Sequence, residues 1–177
     1  GNVFALVTFL LGMWPNEHEY KLMGMAPYAP DDGVARSRAV FDQIVAFADD
    51  GSPQWRRRSG VPPTYYSLEW LRRRLAFHRF DWICGAVQAW LEDTLVEWLR
   101  RAIAVTGIRR VALGGGVFMN VKANQRLLAM PEVESLFIFP SCGDESNAIG
   151  AAYHVTAEHA RHVASTADQI PPIRDVY

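Results

Sequence analysis

Two short segments hold the residues that could do chemistry. Val111-Ala112-Leu113 reads as an apolar strand that runs into Gly114-Gly115-Gly116 and then, through Val117-Phe118-Met119-Asn120, directly into a helix. Three glycines at a strand-to-helix turn leave backbone amides bare, which suits a phosphorylated ligand. A glycine triplet alone is weak evidence, because any tight turn recruits glycine for its permissive backbone. Its weight comes from the second segment, where Leu136 to Phe139 reads as a short buried strand, Pro140-Ser141-Cys142-Gly143-Asp144 as a loop, and Glu145 onward as a helix. Asp144 thus stands at the mouth of a second strand-to-helix turn. In an open α/β sheet such turns line one edge, and ligands bind outside the carboxyl ends of the strands. A glycine-rich turn beside an acidic one suits a nucleotide and a metal.

The elements that must position these turns are partly written in the apolar spacing. From Asp81 to about Ala104, Ile83, Val87, Trp90, Leu91, Leu95, Trp98, Leu99 and Ala102 recur at helical intervals, with Glu92, Asp93, Glu97, Arg100 and Arg101 on the other side. Gly107 stops this helix, Arg109 to Leu113 forms the strand that feeds the glycines, and the tryptophans belong to the core. Asn2 caps a helix to about Leu11, a buried segment ended by Gly12. The apolar run from Val3 to Trp14 is too short to span a bilayer and lacks the layout of a secretory signal. A chain that opens in the middle of a core reads as a piece of something longer.

Glu19 to Tyr28 reads as a short helix or turn ended near Gly24 and Pro27, residues 29 to 35 as an acidic loop, and Arg36 to Phe47 as an amphipathic helix through Val40, Ile44 and Phe47. Asp49 to Pro63 reads as irregular or as a hairpin excursion. With 177 residues, 50% of them hydrophobic and 21% charged, the chain has ample material for one globular domain. A net charge of -1 argues against nucleic acid as a partner bound through bulk electrostatics. The basic runs Arg56-Arg57-Arg58 and Arg72-Arg73-Arg74 read as solvated faces. Cys84 and Cys142 are too few and too far apart for a disulfide framework or a cysteine zinc site, which predicts a reducing, cytoplasmic setting away from membranes.

Taken in order, Glu19-Tyr20-Lys21-Leu22-Met23-Gly24-Met25-Ala26-Pro27-Tyr28, then Leu113-Gly114-Gly115-Gly116-Val117-Phe118-Met119-Asn120-Val121-Lys122-Ala123-Asn124-Gln125-Arg126-Leu127, then Gly143-Asp144-Glu145-Ser146-Asn147-Ala148-Ile149-Gly150-Ala151-Ala152 resembles the carbamoyltransferases of nodulation and antibiotic tailoring. The match covers residues 1 to about 155. It implies an α/β fold of the actin-like, sugar-kinase-like ATPase type, a ribonuclease H-like lobe with a sheet flanked by helices, related to the tRNA threonylcarbamoyl-transfer enzymes. Residues 1–164 would be the second lobe of the catalytic domain and 165–177, with Pro171-Pro172, the start of an interdomain linker. In such relatives a YrdC-like domain makes carbamoyl-adenylate from carbamoyl phosphate and ATP, and the catalytic domain moves the carbamoyl group to a hydroxyl of a sugar or small metabolite. The first lobe and the YrdC-like domain would be partners outside this chain, and the isolated fragment would be inactive.

The resemblance also implies roles. Gly114, Gly115 and Gly116 would face the nucleotide's phosphate and ribose, Asn120, one turn into the next helix, would reach the adenosine, and Gly143 would border the nucleotide. Asp144 would be the metal ligand that acts with two histidines on a divalent cation, iron first, with magnesium or manganese as alternatives. Its plain alternative is a helix N-cap. No histidine pair at i, i+4 is present in the sequence, and His159 and His162 at i, i+3 read as a solvated pair. Lys21 would pair with phosphate and Glu19 would orient it or the acceptor, the alternative being a surface pair on a short helix. Ser146 stands where relatives carry glycine, which places a hydroxyl near the expected phosphates. The competing readings are a sugar- or acetate-kinase-like phosphotransferase lobe and a non-catalytic adenine-nucleotide module.

Overall fold

The computed structural model describes residues 1–162, and of His162 the backbone only. The expected linker at 165–177 lies outside the described residues. Among the described residues the fold is mixed α/β and mostly helical, with two small two-stranded sheets. Helices α1 (Asn2–Leu10), α2 (Glu19–Met25) and α3 (Asp31–Phe41) precede a hairpin of β1 (Val45–Phe47) and β2 (Trp55–Arg57). Helices α4 (Ser67–Leu75) and α5 (Phe80–Thr106) follow, then β3 (Arg110–Leu113), α6 (Val121–Leu128), β4 (Ser135–Ile138) and α7 (Ser146–His162).

The described residues divide into two units, one of residues 1–111 with 120–136, the other of residues 112–119 with those from 137 onward. In the first, α5 is the axis, and α2, α3 and α6 all pack on it. Its Ile83, Val87, Trp90, Leu91 and Leu99 are buried, as the spacing predicts, and Cys84, Ala86 and Ile103 are buried as well, while Leu95, Trp98 and Ala102 are half-buried. Trp90 meets the fully buried Phe41 of α3 at 6.2 Å between ring centroids. Gly85 lets α3 close on α5, because a Cβ there would come within 2.7 Å of Val34 Cγ2 and 2.8 Å of Ala29 Cβ. Gly107 at φ +70° ends α5 in the left-handed turn that glycine favours.

Three expectations shift, and one helix was not anticipated. The acidic stretch at 29 to 35 is not a loop: Pro30 caps α3 in extended backbone, and Asp31 and Asp32 sit in its first turn, where carboxylates complement the helix dipole. The helix expected over Arg36 to Phe47 stops at Phe41, and Val45–Phe47 pairs antiparallel with Trp55–Arg57, making the excursion a hairpin in the register Val45↔Arg57, Phe47↔Trp55. Asn2 is inside α1 rather than its cap, which is Gly1, while Gly12 at φ +79° follows the helix end as expected. Helix α4 was hidden by its three arginines, yet it buries Trp70, Leu71 and Leu75 and holds Arg72, Arg73 and Arg74 on an exposed face, with Arg74 stacked 4.2 Å above Trp70.

The second sheet joins β3 to β4, extended at its start by Glu134 N–H donating to Arg109 O at 2.9 Å. What leaves their ends is the candidate site.

Candidate functional site

The strand β3 delivers Gly114, Gly115 and Gly116, all exposed. Gly115 adopts φ +106°, a conformation L side chains rarely take, so glycine is required there by the backbone. Gly114 and Gly116 have ordinary φ, and a Cβ on either would meet no atom within 4 Å. Among the described residues no packing demands glycine at those two positions, and the space in front of them is open. The triplet enters a 3₁₀ turn over Gly116–Met119, closed by Phe118 N–H donating to Gly115 O at 2.9 Å, rather than passing directly into a helix.

The loop after β4 lies against this turn. Gly115 N–H donates to Cys142 O at 2.8 Å, so the glycine turn and the Gly143-Asp144 loop are fastened side by side within the second unit. The same bond occupies the Gly115 amide. Gly143 carries the side chain of Glu145 and the Met119 methyl against its face, where a Cβ would collide with both. Glu145 accepts from Ser141 Oγ, and that hydrogen bond holds its carboxyl below the usual carboxylate range. Ser146 turns its hydroxyl back on the loop, donating to Gly143 O at 2.8 Å, which closes the turn before α7.

Asp144 is exposed, and among the described residues its side chain has no hydrogen-bond or ion-pair partner, so it does not serve as the N-cap of α7. Among the described residues no group of three or more His, Cys, Asp or Glu stands together to hold a metal. One carboxylate is a ligand and not a site, so the described residues alone do not fit a bound cation. His159 is exposed.

Asn120 belongs to the first unit and lies at the N-cap of α6, not one turn inside it, because the 3₁₀ turn displaces the helix start to Val121. Its Oδ1 accepts from Ala123 N–H at 3.0 Å and from Gln88 Nε2 at 3.0 Å, and its Nδ2 donates to Gln88 Oε1 at 2.8 Å. Glu19 and Lys21 sit at the start of α2, also in the first unit. Glu19 Oε1 accepts from Asn16 N–H at 2.7 Å, and His18 Nδ1 from Trp14 N–H at 3.2 Å, two bonds that hold the loop in which Asn16 takes φ +66°. Lys21 is half-buried, with its ammonium 5.8 Å from the Tyr20 ring centroid.

Sequence reasoning missed two pairings. Gln88 is one, buried on the apolar face of α5 and invisible in any local spacing. The other is Ser37 Oγ, 2.8 Å from His78 Nδ1, a distance fit for a nucleophile and its base. Ser37 is completely buried, however, so no substrate can reach it, and the pair ties α3 to the segment after α4. Cys84 is equally sealed, and burial pushes its thiol up to about 12. Burial raises the Cys142 thiol as well, which removes a thiolate nucleophile from the Asp144 loop.

The end of β3 thus carries a glycine turn with open space in front of Gly114 and Gly116, fastened beside the Gly143-Asp144 loop. Residues 64–153 match the family described as Carbamoyltransferase N-terminus, and the chain belongs to that family. It is 32% identical to the nodulation protein NolNO of Sinorhizobium fredii over 79% of this chain and 20% of that protein. It is also 32% identical to the nodulation protein NolO of Bradyrhizobium diazoefficiens, over 81% of this chain and 26% of that protein. A tRNA N6-adenosine threonylcarbamoyltransferase of Salinibacter ruber shares 32% identity over 60% of this chain and 31% of its own length. The chain therefore spans between a fifth and a third of the length of these relatives. Family membership supports a transferase. Among the described residues no helix is long and apolar enough to cross a membrane.

Proposed function

We propose that this chain is the nucleotide-binding lobe of an O-carbamoyltransferase, an actin-like domain working in a longer protein that also supplies a first lobe and a YrdC-like domain. The observation that carries the reading is the Gly115 to Cys142 hydrogen bond, which sets open glycine positions beside an unpartnered carboxylate in a member of the carbamoyltransferase family. Gly114 and Gly116 would admit the phosphates of ATP or carbamoyl-adenylate, Gly143 would border them, and Asn120 would meet the nucleoside. Asp144 would contribute one ligand to a divalent cation whose remaining ligands come from outside the described residues. Lys21 would pair with phosphate, while Glu19, already holding the Asn16 loop, would act by fixing the start of α2.

In the transfer itself, a hydroxyl oxygen of the acceptor bonds to the carbamoyl carbon, the bond from that carbon to the adenylate oxygen breaks, the hydroxyl proton is lost, and AMP leaves. Carbamoyl phosphate and a hydroxyl-bearing small molecule are then the substrates, with a cytoplasmic setting. Calorimetric titration with ATP tests the binding step: saturable binding that AMP competes away supports an adenylate site. Absence of ATP binding by the intact protein overturns it.

A further inference from the structure

The pair formed by Asn120 and Gln88 has a chemical consequence. An amide carries two acceptor lone pairs and two donor hydrogens. Both lone pairs of Asn120 Oδ1 are used, one by Ala123 N–H and one by Gln88 Nε2, and one hydrogen of Nδ2 goes to Gln88 Oε1. One N–H of Asn120 remains, and among the described residues it has no partner. The orientation cannot invert. Ala123 N–H demands an oxygen from Asn120, and Glu92, as a carboxylate, demands a donor from Gln88, whose Nε2 reaches Glu92 Oε1 at 2.6 Å. Glu92 is in turn held by Arg126 Nη1 at 3.2 Å. Arg126, Glu92, Gln88 and Asn120 thus form one relay within the first unit, with Gln88 only 4% exposed. A buried amide with both ends satisfied is rigid, because turning it strands polar atoms.

We infer that Gln88 is a positioning residue for nucleotide binding: through the relay it fixes Asn120 as a hydrogen-bond donor only, with one N–H left for an acceptor oxygen or ring nitrogen of the nucleoside. This rests on the proposed nucleotide site and adds the residue that sets its polarity. Asn120 in this state cannot read an amino group, since it has no acceptor left to offer.

A double-mutant cycle on ATP affinity tests it, with the intact protein, calorimetry, and thermal unfolding of every variant as the check on the fold. Asn120→Ser keeps an N-cap for α6 but removes the Nδ2 amide hydrogens and shortens the side chain. Gln88→Met keeps the buried volume but frees the amide of Asn120. Each is expected to weaken ATP roughly fivefold to tenfold, the range of one hydrogen bond. The double variant is expected to be no weaker than Asn120→Ser alone, because Gln88 acts through Asn120. Multiplying losses, or unchanged affinity in a folded Gln88→Met, overturns the inference while leaving the nucleotide site standing. If Gln88→Met does not fold, Arg126→Gln at the exposed end of the relay decides: weaker ATP supports the relay and unchanged ATP overturns it. A wild-type protein that does not bind ATP overturns the underlying reading and the relay's role with it.

Discussion

Replacing the three glycines one at a time with alanine separates what the backbone needs from what a ligand needs. Gly115 sits at φ +106°, so Gly115→Ala forces an L residue into a conformation that costs about 1–3 kcal/mol. Gly114 and Gly116 have ordinary φ and open space where the methyl would stand. Alanine at either is expected to be neutral, or to stabilise by about 0.4–1 kcal/mol through the lost freedom of the unfolded chain. In urea, with a slope of about 2 kcal/mol per molar, Gly115→Ala should lower the midpoint by about 0.5–1.5 M. Gly114→Ala and Gly116→Ala should leave it in place or raise it slightly. Their cost appears in binding, where a methyl group in the ligand's approach path should weaken ATP by about tenfold or more, the factor that 1.4 kcal/mol carries. Urea unfolding and ATP calorimetry on the same preparations read both effects. Equal stability losses at all three positions, or intact ATP affinity in Gly114→Ala and Gly116→Ala, would refute the reasoning.

Gly85→Val should destabilise the protein by about 1–3 kcal/mol, because its Cβ meets Val34 and Ala29 inside van der Waals contact, and urea midpoints will show whether α3 can give way. Burial raises the Asp93 pKa, but the hydrogen bonds from Arg38 and Arg126 outweigh it and hold the carboxyl below its ordinary value. With the folded value depressed, the stabilisation is present above the unfolded carboxyl range near about pH 4 and is lost as pH falls through the folded value. Asp93→Asn should therefore flatten the acid side of the stability curve, which unfolding midpoints at pH 7 and pH 3 compare. With Cys84 and Cys142 both buried and their thiols raised, a disulfide reagent at pH 8 should find no fast thiol in the native protein and two after unfolding; a fast native thiol would contradict the packing around one of them.

What the sequence made legible follows the physics of periodicity. The α5 stripe from Ile83 to Ala102 and the strand before the glycines are local patterns, and the helix and strand stand where the spacing puts them. Boundaries set by tertiary contacts were not local. Ile44 and Phe47 continue the helical spacing of α3, but pairing with Trp55–Arg57 claims that stretch as strand. At the site, the two strand-end turns were readable because glycine and proline punctuate them. The position of Asn120 was not, because the 3₁₀ turn that shifts α6 arises from the φ of Gly115 and not from any residue pattern. Gln88 gives no local signal, because its partner Asn120 lies 32 residues away.

The central claim is carbamoyl transfer by way of an adenylate, and the nucleotide product tests it most directly. The full-length protein, incubated with ATP, carbamoyl phosphate and a hydroxyl acceptor, should convert ATP to AMP and pyrophosphate as the carbamate ester accumulates. ADP as the sole nucleotide product would contradict the account and favour phosphoryl transfer instead.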